Sequence, residues 1–160
     1  MIPYIHLFCI FAALLDCDKM KIYIGSDHAG VDFKELIKRH FSGKFEFEDV
    51  GTFTTESVDY PDFAHKVAES VLNDEGSLGI LICGTGNGMA ITANKHAGIR
   101  AALCWAPEIA ALAKQHNNAN VIVLPARFIP SDVAIAVLSA FFDAEFEGGR
   151  HQRRIDKINI

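Results

Sequence analysis

The sequence of 160 residues is short of positive charge: 15 Lys and Arg stand against 20 Asp and Glu, a formal net charge of −5. That balance excludes the broad basic footprint of a generic nucleic-acid binder, so any anionic ligand must be held by a local basic cluster. Cysteine is scarce as well. Cys9, Cys17, Cys83 and Cys104 fall at no paired zinc spacing and form no Cys-x-x-Cys, which points to a reducing, cytoplasmic compartment. A membrane-length apolar run is also missing. Ile2 to Leu15 is uncharged and mostly apolar, but a span takes about 20 such residues. It has no Lys or Arg before it and no small-x-small cleavage site, so it does not read as a secretory signal. Neither a nucleic-acid nor a membrane partner is expected.

Repeats, low-complexity tracts and linkers are absent too. What remains is a chain with 50% hydrophobic and 22% charged residues, enough apolar surface for one sizeable core. Met20 opens the first convincing strand. Residues 1–19 are therefore expected to be a leader outside the domain, an artefact of start-site assignment, with a presequence or apolar appendage as the alternative; residues 20–160 form the domain.

From Met20 onward, short β-type runs alternate with helical ones, the signature of a parallel sheet covered on both faces. Strands are expected at Lys21 to Gly25, Phe45 to Val50, Gly79 to Cys83, Ile99 to Cys104 and Val121 to Leu124. Helices are expected over Val31 to Phe41, from Asp59-Tyr60-Pro61 to near Gly76, and over Met89 to His96, Pro107 to His116 and Pro130 to Ala144. A short basic helix follows Gly148-Gly149. The fold class is α/β: a single three-layer α/β/α domain around a Rossmann-like five-stranded parallel sheet. Ligands of such sheets sit beyond the carboxyl ends of the strands, which directs attention to Ser26-Asp27-His28, the Cys83 to Gly88 loop, Cys104 and Arg127. One edge is expected to collect nearly all the chemistry.

The stretch ICGTGNGM, Ile82 to Met89, is the strongest local signal. A cysteine ends a buried strand, three glycines follow and a helix begins. Unpaired N–H groups there can cradle an oxyanion, and the same field is expected to lower the Cys83 pKa and favour thiolate. The competing reading is a phosphate-binding loop behind a structural cysteine. Met89 stands where a dinucleotide fingerprint needs glycine, and no Gly-Lys-Ser/Thr follows, so neither a nucleotide cofactor nor a P-loop is implied. Asp27 and His28 can hydrogen-bond sugar or phosphate, or simply form a turn. Tyr60 reaches the same crevice or packs at a helix cap; His116, beside Asn117 and Asn118, caps a helix or works on a ligand. Arg150, His151 and Arg154 share a helical face at spacings of three and four, where two guanidinium forks suit a phosphate dianion. The alternative is a solvated basic tail. His40, His65 and His96 have no metal-ligand spacing, and Cys104 reads as a core residue.

Six motifs in order then carry a resemblance: GSDHAG (Gly25 to Gly30), DYPDFA (Asp59 to Ala64), LICGTGNGM (Leu81 to Met89), ANKHAGIRAAL (Ala93 to Leu103), KQHNNANV (Lys114 to Val121) and EGGRHQRR (Glu147 to Arg154). Together they resemble the type B ribose-5-phosphate isomerases and their galactose- and allose-phosphate isomerase relatives. The resemblance implies a homodimer, in some members paired into tetramers, with sites built from both subunits, and a place in the pentose phosphate pathway. It implies that Cys83 is the carbon base. Thr85 and the amides of Gly84, Gly86, Asn87 and Gly88 match the oxyanion hole, and His116 the residue that opens the furanose ring. Asp27, Tyr60 and Asn117 match sugar contacts, and His28, Arg127, Arg150, His151 and Arg154 phosphate ligands. The implied reaction interconverts ribose 5-phosphate and ribulose 5-phosphate through an enediolate with no cofactor and no metal. The alternatives are a galactose or allose 6-phosphate isomerase and a non-catalytic phosphosugar-binding module.

Overall fold

The computed structural model describes residues 19–158; the expected leader, apart from Lys19, lies outside them. Five strands, β1 (Lys21–Ser26), β2 (Glu46–Gly51), β3 (Leu78–Cys83), β4 (Ala101–Leu103) and β5 (Val121–Pro125), form one sheet in the order β2-β1-β3-β5-β4. Every pairing in it is parallel. The helices are α1 (Val31–Phe41), α2 (Tyr60–Asn73), α3 (Asn87–Ala93), α4 (Pro107–Asn117), α5 (Ser131–Asp143) and α6 (Arg150–Ile155). Three elements depart from the sequence reading by two residues or more. β4 covers only Ala101–Leu103 rather than Ile99 to Cys104, as an edge strand pairing β5 alone. α2 stops at Asn73, and α3 starts at Asn87 and ends at Ala93, so Gly88 belongs to the helix and His96 to the turn after it.

Strand period 2 decides which core each side chain enters. Ile22, Ile24, Ile80, Ile82, Ile122 and Leu124 face one core with α1, α4 and α5. Tyr23, Leu81, Cys83, Val121 and Val123 face the other, with α2 and α3. Helix period supplies the opposing stripes. Ala64, Val67, Ala68 and Val71 of α2, and Ala134, Val137, Leu138 and Phe141 of α5, repeat at i, i+3, i+4, i+7 and are buried, each large aliphatic contributing roughly 1.5–3 kcal/mol. Cys83 therefore points to the α2/α3 side at the carboxyl end of the central strand.

One charge lies on a buried stripe. Lys34 is 0% exposed, three residues before Ile37 and seven before Phe41. Its Nζ donates to Asp49 Oδ1 at 2.7 Å and to the Thr52 carbonyl at 2.5 Å, with the Phe53 ring 4.4 Å away. A buried ammonium is tolerated only when paired and fully hydrogen-bonded. Here those bonds tie α1 to the end of β2 and root the loop that leads to Tyr60.

Candidate active site

The chain reverses its sideways progress between β1 and β3, with β2 on one side of β1 and β3 on the other. A crevice opens at such a switch point beyond the carboxyl ends. The two strand ends are tied there by the Asp27 amide, which donates to the Ile82 carbonyl at 3.1 Å. Asp27 is buried, and its Oδ1 accepts from the Ala29 amide at 2.9 Å, capping the 3-10 turn His28–Gly30. His28 Nδ1 accepts from the Val58 amide at 3.5 Å. That bond leaves Nε2 as the ring nitrogen available to donate to a ligand. Tyr60, first residue of α2, lays its ring against Gly88: a Cβ there would lie 2.5 Å from the Tyr60 Cζ. Gly86 has φ 77°, and the Leu103 side chain occupies the space a Cβ would need, so only glycine fits this turn. The exposed Arg127 places its side chain against Gly84, and its amide donates to the Gly84 carbonyl at 3.1 Å. Thr85 is exposed, and its Oγ1 accepts from the Asn87 amide at 3.3 Å.

Cys83 lies inside this loop, 4% exposed, its Sγ accepting from the Gly86 amide at 3.1 Å. Two expectations change. At least one loop amide serves the sulfur itself rather than a ligand oxygen. Moreover, the thiol pKa is raised, not lowered: burial pushes it up most, and the Asp27 charge adds to that. Amides of Met89, Gly86 and Thr85 pull the other way without winning. Cys104 is wholly buried and pushed up to about 12, as a core thiol should be.

His116, Asn117, Arg150, His151 and Arg154 are not at this edge. The helix α4 begins after β4 and runs back, so its last residues sit beside the amino ends of the strands, and the Asn120 carbonyl accepts from the Gly79 amide at 2.8 Å. Gly79 starts the segment of β3 that pairs with Val121, and Cys83 ends it opposite Pro125. Four residues of strand separate them by roughly 13 Å. The Glu147 amide donates to the Gln115 carbonyl at 3.0 Å, which brings α6 to the same place. The expectation of a single edge is thus corrected: the candidate residues fall into two groups, at opposite edges of the sheet.

The group at the amino edge is built on a stack. The His116 and His151 rings lie 4.2 Å apart, centroid to centroid, with their planes 6° apart. Glu147 Oε2 stands 3.8 Å from His116 Nε2 and 3.5 Å from His151 Nε2, and Arg150 Nε donates to His151 Nε2 at 3.4 Å. His151 is buried and its pKa lowered, by desolvation first and then by the nearby His116 and Arg150, so it is neutral at physiological pH. Arg150 and Arg154 remain exposed. The two histidines and Glu147 keep their ligand atoms within 4.8 Å of one another. The two stacked planes nevertheless share no common point, so the rings cannot bind one ion in plane without turning.

Sequence reasoning passed over Lys34, Glu147 and Arg100. A lysine on an apolar helical stripe was a legible signal for the first. Arg100 left none: its partners are the carbonyls of Gly98, Asn117 and Asn118, which no side-chain pattern announces. Among the described residues no helix is long and apolar enough to cross a membrane.

Known proteins share this fold. The Ribose/Galactose Isomerase family model matches residues 22–158. The probable ribose-5-phosphate isomerase B of Mycoplasma genitalium is 49% identical over 140 residues, covering 86% of this chain and 92% of that protein. A crystal structure of a ribose 5-phosphate isomerase from Thermotoga maritima superposes with a TM-score of 0.85 at 53% identity, covering 88% of this chain and 97% of that one. The Mycoplasma genitalium ribose-5-phosphate isomerase B with bound ribulose-5-phosphate gives a TM-score of 0.84 at 48% identity, covering 87% and 93% of the two chains. With all of its sheet except Lys21 inside the matched residues, the chain belongs to the Ribose/Galactose Isomerase family.

Proposed function

We propose that two copies of this chain form a homodimer in which the Cys83 edge of one copy meets the His116 edge of the other, and that each composite site interconverts ribose 5-phosphate and ribulose 5-phosphate. The protein is an aldose–ketose isomerase. Ribose is favoured over a hexose because the relatives compared above carry ribose 5-phosphate isomerase names, one with ribulose-5-phosphate bound. The observation that carries the composite site is the division of the chemistry. A base and its loop stand at one edge, a histidine and two exposed arginines at the other, with a strand's length between them. An apolar rim of Trp105 and Phe128, 54% and 72% exposed, lines a cleft with Thr85 and Asn87 and suits burial against a second copy.

Substrate enters with its phosphate on Arg127 and His28 of one copy and on Arg150, His151 and Arg154 of the other. Asp27 and Tyr60, with Asn117 across the interface, hold the sugar hydroxyls. His116 moves a proton between the ring oxygen and O1 and opens the furanose. Cys83 thiolate removes the C2 proton, and negative charge grows on O1. Thr85 and the amides of Gly84, Asn87 and Gly88 stabilise that oxyanion in the enediolate. The same sulfur returns the proton to C1, while the O2 hydroxyl proton passes to O1 and leaves the carbonyl at C2. The proton count closes without a redox partner, and the steps need no metal and no cofactor.

Cys83→Ala tests the assignment. Turnover of ribose 5-phosphate should fall by about 10³-fold while melting temperature and phosphosugar binding stay close to the parent. An alanine variant that isomerises at the parent rate refutes Cys83 as the base. Comparing kcat/KM on ribose 5-phosphate and on galactose or allose 6-phosphate checks the substrate.

A further inference from the structure

The end of α4 is held by an unusual cap. Asn118 turns the chain with φ 45°, and its amide donates to the Lys114 carbonyl while the Ala119 amide donates to Ala113. The next carbonyls, those of Asn117 and Asn118, would otherwise remain without helical donors. Arg100 takes both: its Nε donates at 3.1 Å and 2.9 Å. One Nη of the same guanidinium donates to Gly98 O at 3.3 Å. Arg100 is itself pinned. Its amide donates to Asn120 Oδ1 at 2.8 Å, and Asn120 Nδ2 donates to Gly98 O at 2.9 Å. A closed ring of bonds joins Gly98, Arg100, Asn117, Asn118 and Asn120, and so locks the last turn of α4 to the entry of β4 and β5.

The guanidinium is half-buried, and burial lowers its pKa from the ordinary arginine value. A cation at a helix carboxyl terminus also balances the partial negative charge of the terminal carbonyls. Lysine cannot replace it, because a single ammonium lacks the planar fork that spans three carbonyls. The residue immediately before the clamped carbonyls is His116. Its ring is stacked within 6° of parallel on His151, an alignment lost if the final turn rotates.

We propose that Arg100 is a positioning residue for the isomerisation, holding the last turn of α4 so that His116 and Asn117 meet the furanose ring of the substrate. The inference rests on the ring-opening reading of His116, and it separates two chemical steps. Opening the ring depends on the clamp, whereas proton removal by Cys83 does not.

Two assays read these steps apart in the full-length dimer. Isomerisation of ribose 5-phosphate needs both. Exchange of the C1 hydrogen of ribulose 5-phosphate in deuterated water, followed by NMR, needs only the enediolate, because ribulose 5-phosphate is already open. In Arg100→Met, kcat for isomerisation should fall about 10- to 100-fold, the usual effect of a misplaced catalytic group. KM should change by less than about threefold, and C1 exchange should stay within about threefold of the parent. Arg100→Lys keeps the charge and loses the fork, so it should show the same split in smaller measure; it decides the matter if the methionine variant does not fold. Parallel loss of both activities, or loss of neither, overturns the proposal. His116→Ala run alongside tells the two failures apart. Full isomerisation by His116→Ala sinks the ring-opening reading itself, while a slow His116→Ala beside a fast Arg100→Met sinks only the clamp.

Discussion

The two edges of the sheet are built by different means. At the carboxyl edge several groups are short and fixed by backbone: Cys83 takes a loop amide, Asp27 caps a turn, and Gly86 and Gly88 admit Leu103 and Tyr60 where a side chain would not fit, while Thr85 and Arg127 stand exposed beside them. At the amino edge they are long or aromatic and held by side chains: the His116–His151 stack, Glu147 between them, and Arg150 and Arg154 reaching into solvent. Under the proposed mechanism, proton removal from carbon tolerates little misplacement, which suits a sulfur fixed in the core, whereas holding a dianion needs charge and reach, which the exposed guanidinium forks of both edges supply.

The sharpest way to break this comparison is to put the two edges on different chains. A Cys83→Ala chain and a His116→Ala chain, each inactive as a pure dimer, are mixed and allowed to exchange subunits. If sites are shared, each mixed dimer regains one intact site, and random pairing returns about a quarter of parental activity. That is a rise of a hundredfold or so above either parent variant, taking about 10²–10⁴ for the loss of a catalytic acid or base. Sites confined to one chain predict no recovery at all, and that result would end the composite reading.

A smaller effect separates binding from chemistry. Arg150→Ala removes a charged fork from the end of the substrate that does not react. KM for ribose 5-phosphate should rise about 10- to 100-fold, as for a lost charge-assisted hydrogen bond of roughly 1.5–3 kcal/mol, with kcat falling less. An unchanged KM would remove Arg150 from the phosphate subsite and leave the amino edge with Arg154 alone.

The two edges were also unequally legible in the sequence. Strand and helix order, the fold class and the Cys83 loop were readable, because apolar periodicity and glycine spacing are local properties. Which edge a residue occupies was readable in principle, since a helix following a parallel strand must run back. His116, at the last turn of such a helix, already implied the far side. The Cys83 environment was not readable: the helix terminus suggested thiolate, while burial in the α2/α3 core with residues distant in sequence, Val67 and Val123 among them, outweighed it. Arg100 was missed for a related reason: its partners are backbone carbonyls brought near by tertiary folding, and sequence patterns do not encode those, whereas Lys34 on its apolar stripe was legible and overlooked.

The smallest expected effect concerns protons. As the proposed base, Cys83 would act only as thiolate, and burial holds its pKa above the ordinary thiol value of 9.0. At neutral pH the thiolate is therefore a minor fraction that grows about tenfold per pH unit. It follows that log kcat/KM should climb with unit slope through neutrality and level only beyond the usual thiol range. His151 contributes no limb above neutrality, because its lowered pKa leaves it neutral there. The rising limb thus belongs to the carboxyl edge, and it can be moved from there. Asp27 raises the Cys83 pKa through its charge, while its Oδ1 serves the Ala29 amide, a bond that asparagine preserves. In Asp27→Asn the limb should shift to lower pH, by less than about one unit for a single neighbouring charge. A limb that stays in place or moves upward would show that the titrating group is not the Cys83 thiol.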